Sequence, residues 1–68
     1  MKLYRVLTGP DDAAFCERVE KLLNRGWQLH GSPSITEVGG RGYVAQAIVM
    51  EKAGPYPGFQ PSSEIEPD

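Results

Sequence analysis

The chain reads as an α+β domain: a single β-α-β-β body, a three-stranded antiparallel sheet in the order 1-3-2 with one helix on one face, and an extended C-terminal tail. Three observations predict it. Phe15, Cys16, Val19, Leu22 and Leu23 recur at three- and four-residue spacing, the mark of an amphipathic helix. Short β-favouring runs flank that stripe, Leu3 to Thr8 before it and Tyr43 to Met50 well after it. Finally, 68 residues with 40% hydrophobic and 24% charged side chains fit one small domain of ordinary soluble composition.

Leu3 to Thr8, closed by Gly9-Pro10, forms the first strand. Pro10 suits the first helical position, where its missing N–H would have no partner. Asp11 and Asp12 then fall in a first turn whose dipole favours negative charge. Glu17, Arg18, Glu20, Lys21 and Asn24 take the polar face, with Glu17 and Lys21 an i,i+4 pair in the favourable order. Gly26 supplies the left-handed stop. Leu22 and Trp27 then occupy the two positions whose apolar contact accompanies a Schellman turn, so Trp27 is expected to fold back on the helix end as a core anchor.

Residues 27–38 make a poorer strand, with Gly31 and Pro33 inside it. Proline cannot donate to a ladder, so this strand belongs at an edge or carries a bulge. Gly39-Gly40-Arg41-Gly42 has the composition of a hairpin turn. Tyr43 to Met50 is almost continuously apolar around Gln46, as expected of a strand covered on both faces. A helix between strands one and two makes them parallel. The third strand returns antiparallel, and inserting it between them keeps the crossover right-handed.

Residues 1–52 form this body and carry seven bases and six acids, about +1. Residues 53–68 add Glu64, Glu66 and Asp68 with no base, and four of the six prolines. Such a segment buries too little apolar surface to offset its ordering entropy, so it reads as an extended, flexible tail. Tyr56, Phe59 and Ile65 are its exceptions, able to dock on a groove.

One helix covers only one face of a sheet. Small alanines suit close helix approach, which assigns Tyr4, Val6, Trp27, Leu29, Tyr43, Ala45, Ala47 and Val49 to the helix side. The other face then carries Leu3, Leu7, Val44, Ile48 and Met50, with Arg5, Gln28, His30 and Gln46 among them. The alternative exchanges the two faces. In both phases a greasy second face remains, and burying it contributes several kcal/mol at about 25 cal/mol per Å². A homo-oligomer is therefore expected, most simply a C2 dimer, joined through Leu3, Leu7, Val44, Gln46, Ile48 and Met50.

The run Leu3-Tyr4-Arg5-Val6-Leu7-Thr8-Gly9, the helix ending Leu22-Leu23-Asn24-Arg25-Gly26-Trp27, the step Leu29-His30-Gly31-Ser32 and the strand Tyr43-Val44-Ala45-Gln46-Ala47-Ile48-Val49 together resemble a small bacterial and phage family, domain of unknown function 1737. The likeness spans roughly residues 2–51. It implies the same β-α-β-β body and no particular activity. Gln46 matches a recurrent position of that family. A polar side chain inside a buried strand must find hydrogen-bond partners, so Gln46 is a candidate to hold a register or touch a ligand.

No catalytic constellation stands out. Cys16 lies on the apolar stripe, where a thiol behaves as a small hydrophobe. One His and one Cys fall short of a metal site, and adjacent Asp11 and Asp12 do not converge on one atom. The expectation is a non-enzymatic, cofactor-free binding or adaptor module, cytoplasmic by its lone cysteine, with itself as first partner. A rival reading is sequestration of a small anion or nucleotide at a subunit boundary. Its contacts would be Arg41 and Gly40 of the glycine-rich turn, with Arg5, Gln46, His30 and Tyr56. A nucleic-acid accessory role ranks last, because pI ≈ 5.2 supplies no basic field. No apolar run approaches the ~20 residues of a membrane span.

Overall fold

The computed structural model describes residues 1–59. Strand β1 (Lys2–Pro10) leads into helix α1 (Ala13–Leu23), followed by β2 (Gln28–Val38) and β3 (Arg41–Glu51). The sheet has the order β1-β3-β2, and both pairings are antiparallel. The expected class and strand order are those of the molecule. The expectation for Ile65 lies outside the described residues.

The helix begins later than its sequence suggests. Pro10 ends β1, opposite Tyr43, instead of opening the helix. Asp11 keeps its backbone against β3, its N–H donating to the Gly42 carbonyl at 2.9 Å. Asp12 is the N-cap, and its carboxylate accepts from the Phe15 N–H at 2.9 Å. Neither aspartate lies inside the first turn. An Asp side chain satisfies an orphan amide from the cap position, and that direct bond wins over a diffuse dipole effect. The helix stop matches expectation: Trp27 N–H donates to the Leu22 carbonyl at 3.1 Å and Gly26 N–H to Leu23 at 3.2 Å, with Gly26 at φ +103°. These are the paired bonds of a Schellman turn. Leu22 and Trp27 are both buried.

The β2–β3 hairpin closes through Gly39 and Gly40, both at positive φ, with Val38 opposite Arg41. Two left-handed residues in a two-residue loop make the turn whose twist matches paired strands. In the middle of β2, His30 stands opposite Ala47 and Ser34 opposite Ala45. Residues 31–33 therefore face Gln46 alone, the bulge that Gly31 and Pro33 called for.

The face assignment needs correcting. Leu3, Leu7, Val44 and Ile48 form the core beneath the helix with Phe15, Leu22 and Trp27, and Met50 packs against it. Arg5 and Gln46 lie on the same side, also buried. Tyr4, Val6, Tyr43, Ala45, Ala47 and Val49 take the opposite face, as the register with Leu3, Arg5, Leu7 and Ile48 requires. For β1 and β3 the faces are thus exchanged. Leu3, Leu7, Val44, Gln46, Ile48 and Met50 do not form an open interface. The helix stripe gains more by covering four large aliphatic side chains than by approaching closely over alanines.

Candidate functional site

Among the described residues, two apolar surfaces stand beside the core. The first is the sheet face away from the helix. Tyr4 and Val6 of β1 are 54% and 51% exposed there. Beside them run half-buried Ala45, Ala47 and Val49 of β3, then His30 of β2. The Tyr4 and His30 rings meet edge to face across β3, 6.4 Å between centroids. A recess of about 650 Å³ opens at this end, lined by Lys2, Tyr4, Gln28, His30, Val49 and Glu51 among others. Its size is that of a small-molecule site, and its lining mixes apolar floor with both charges.

The second lies beside the helix. α1 covers β1 and β3 but stops short of β2, so Leu29 and Ile35 are 52% and 67% exposed although they share a face with Ile48 and Val44. Phe15, Cys16, Val19 and Pro33 complete an apolar groove of about 390 Å³. Cys16 is an exposed free thiol on this side of the sheet, whereas His30 is on the other. The sheet separates them, so they do not form a nucleophile–base pair.

The six ligand contacts expected from sequence are only partly brought together. Arg5 and Tyr56 line one recess of about 230 Å³ at the β1 edge, with Lys2 and Phe59. The Arg5 guanidinium lies 4.5 Å from the Phe59 ring centroid, and its Nη1 donates to the Tyr4 carbonyl at 2.7 Å. Gln46 turns inward, its Nε2 donating to the carbonyls of Ala47 at 2.9 Å, Gly31 at 3.2 Å and His30 at 3.4 Å. Its partners are backbone groups of the bulge and of its own strand. Gly40 and Arg41 stand at the far end of β3. Arg41 is seven residues from Ile48, which pairs with Arg5, or about 23 Å at 3.3 Å per residue. Within one chain, then, Arg41 cannot share a small ligand with Arg5. Sequence reasoning missed Tyr4 and Val6 as exposed groups; the large-under-helix preference of the core was the available signal.

The family model described as Domain of unknown function (DUF1737) matches residues 1–51. The chain belongs to this family. The DUF1737 match spans all three strands and the helix, and so contains Tyr4, His30 and Val49 of the open face. It ends before Tyr56 and Phe59, so the recess over Arg5 combines DUF1737 residues with residues beyond the match. No curated protein and no solved structure matches the chain. Among the described residues, no helix is long and apolar enough to cross a membrane.

Proposed function

We propose that the chain is a small, non-enzymatic binding module that pairs with itself through the open sheet face. The observation that carries this reading is the composition of that face. Tyr4, Val6, Ala45, Ala47 and Val49 make a continuous apolar band across β1 and β3, flanked by Tyr43 and His30. A contiguous patch of that kind is what monomeric proteins avoid and interfaces use. Covering a few hundred Å² of it would contribute several kcal/mol at about 25 cal/mol per Å². A body with one small core gains much from that. A two-fold axis through β3 would bring two copies of the Tyr4–His30 recess to the edge of the joint, where a ligand could touch both chains.

Size-exclusion chromatography with light scattering tests the reading. The expected result is a dimer in the low micromolar range and a monomer for Val6→Glu, a substitution on an exposed side chain that leaves the core intact. A wild-type chain that stays monomeric at high micromolar concentration would remove the basis of the proposal.

A further inference from the structure

We propose that the groove between α1 and β2 is the docking site for a short amphipathic helix of another protein, one that sets aliphatic side chains on Leu29 and Ile35 and lysines or arginines toward Asp11 and Glu20. The groove lies on the opposite side of the sheet from the open face, so the inference does not depend on self-pairing. Space is the first argument. Neighbouring strands lie about 4.8 Å apart, and α1 sits over β1 and β3. Packed helices keep their axes about 8–10 Å apart, so a helix laid beside α1 falls over β2. There it meets Leu29 and Ile35, which share the core-side face with Ile48 and Val44 yet stand exposed. From Ile48 to Val44 the partner strand runs about 13 Å, at about 3.3 Å per residue. Between two and three helical turns of about 5.4 Å span that length. Aliphatic anchors at i, i+4 and i+7 of such a helix all face one way.

The strand edge and the charge of the walls select the occupant. An extended peptide would have to add to the outer edge of β2, where the bulge and Pro33 interrupt the ladder. A helix satisfies its own backbone and needs only side-chain contact. The helix wall of the groove carries Cys16 and Val19 between two carboxylates. Asp11 stands at the Ile35 end, where its N–H donates to the Gly42 carbonyl, and Glu20 lies late in α1, toward the Leu29 end. Among the described residues that line the groove there is no Lys, Arg or His. An apolar floor between two acids is complementary to an apolar stripe flanked by bases. A second copy of the chain is the poorer occupant. A two-fold joint sets a patch against itself, so Asp11 and Glu20 would meet carboxylates where water is excluded.

Titration of the isotope-labelled whole chain with synthetic peptides, followed by amide shifts, tests this. The probe is a peptide of about four helical turns built from Leu and Lys alone, in helical period. One comparison peptide has Glu in place of Lys, and another has the same Leu and Lys in strict alternation. The helical Leu/Lys peptide should move the amides of Cys16, Val19, Glu20, Leu29 and Ile35 and leave those of Tyr4 and Val6 in place. It should also slow the reaction of the Cys16 thiol with a thiol reagent several-fold. Ile35→Lys, a change on an exposed side chain, should weaken binding about tenfold or more. The pair Asp11→Asn and Glu20→Gln should weaken it about fivefold, as two exposed ion pairs would. Val6→Glu, which alters only the open face, should bind as the wild type does. No groove shift with the Leu/Lys peptide, or equal binding of either comparison peptide, would overturn the proposal. So would shifts centred on Tyr4 and Val6, or binding indifferent to Ile35→Lys. Groove amides that move on dilution of the chain alone would put a second copy there and overturn it as well.

Discussion

Gln46 stands alone against the three bulge residues 31–33 of β2. A bulge leaves carbonyls out of the ladder, and a buried carbonyl without a donor costs free energy. The Gln46 amide reaches the Gly31 and His30 carbonyls from the facing strand. One side chain therefore lets β2 carry Gly31 and Pro33 next to the core. Replacing it with methionine keeps the length and removes the donor. Gln46→Met is expected to lower unfolding stability by about 1 kcal/mol, the net worth of its partly buried hydrogen bonds to the bulge carbonyls. Urea denaturation followed by tryptophan fluorescence would measure it, since Trp27 is the only tryptophan and is buried. A change no larger than the roughly 0.5 kcal/mol of an ordinary surface substitution would show that the bulge does not depend on Gln46. The sequence made it plain that a glutamine inside an apolar strand needs partners. It did not say that a bulge in the same chain supplies them, because pairing register is a long-range property.

The helix is defined by its two ends more than by its propensity, and both can be tested separately. Asp12→Ala removes the acceptor of the Phe15 amide and should cost about 1 kcal/mol. Gly26→Ala places a Cβ at φ +103° and should cost about 1–2 kcal/mol. Thermal unfolding of the two single variants and the double would check these values. The ends are more than ten residues apart and share no partner, so the costs should add. A double variant much less affected than the sum would mean that the helix frays as a unit from one end. The same elements show what sequence made legible. The helix stop and the hairpin turn were readable because single glycines at fixed offsets decide them. Sequence alone starts the helix three residues early, at Pro10 instead of Ala13, because Pro10 and two aspartates fit either a first turn or a strand end followed by a cap. The sheet phase was misread for β1 and β3 because both of their faces are apolar. Alternation then carries little information, and the choice rests on which set of side chains fills the space under Phe15, Val19 and Leu22.

At the scale of the whole molecule, one helix serves a three-stranded sheet and covers two of its strands on one side. Among the described residues, the core is seven buried apolar side chains, with Met1, Val19 and Met50 packed against it. Neither edge provides an easy route to association, since β2 is bulged at Gly31–Pro33 and β1 is approached by Tyr56 and Phe59. The broad surface left for a second copy is the open face, where Tyr4 and Val6 stand beside Ala47 and Val49. If two copies join there, folding and pairing are linked, and stability depends on concentration. A tenfold rise in protein is worth about 1.4 kcal/mol per dimer, or about 0.7 kcal/mol per chain. For a domain of this size that corresponds to a rise of about 3–5 °C in Tm. Differential scanning calorimetry over two decades of concentration should show that climb for the wild type. Val6→Glu should unfold at a lower temperature that does not move with concentration, because it keeps the core and loses only the joint. A wild-type Tm that is flat over the same range would mean the open face stays in water.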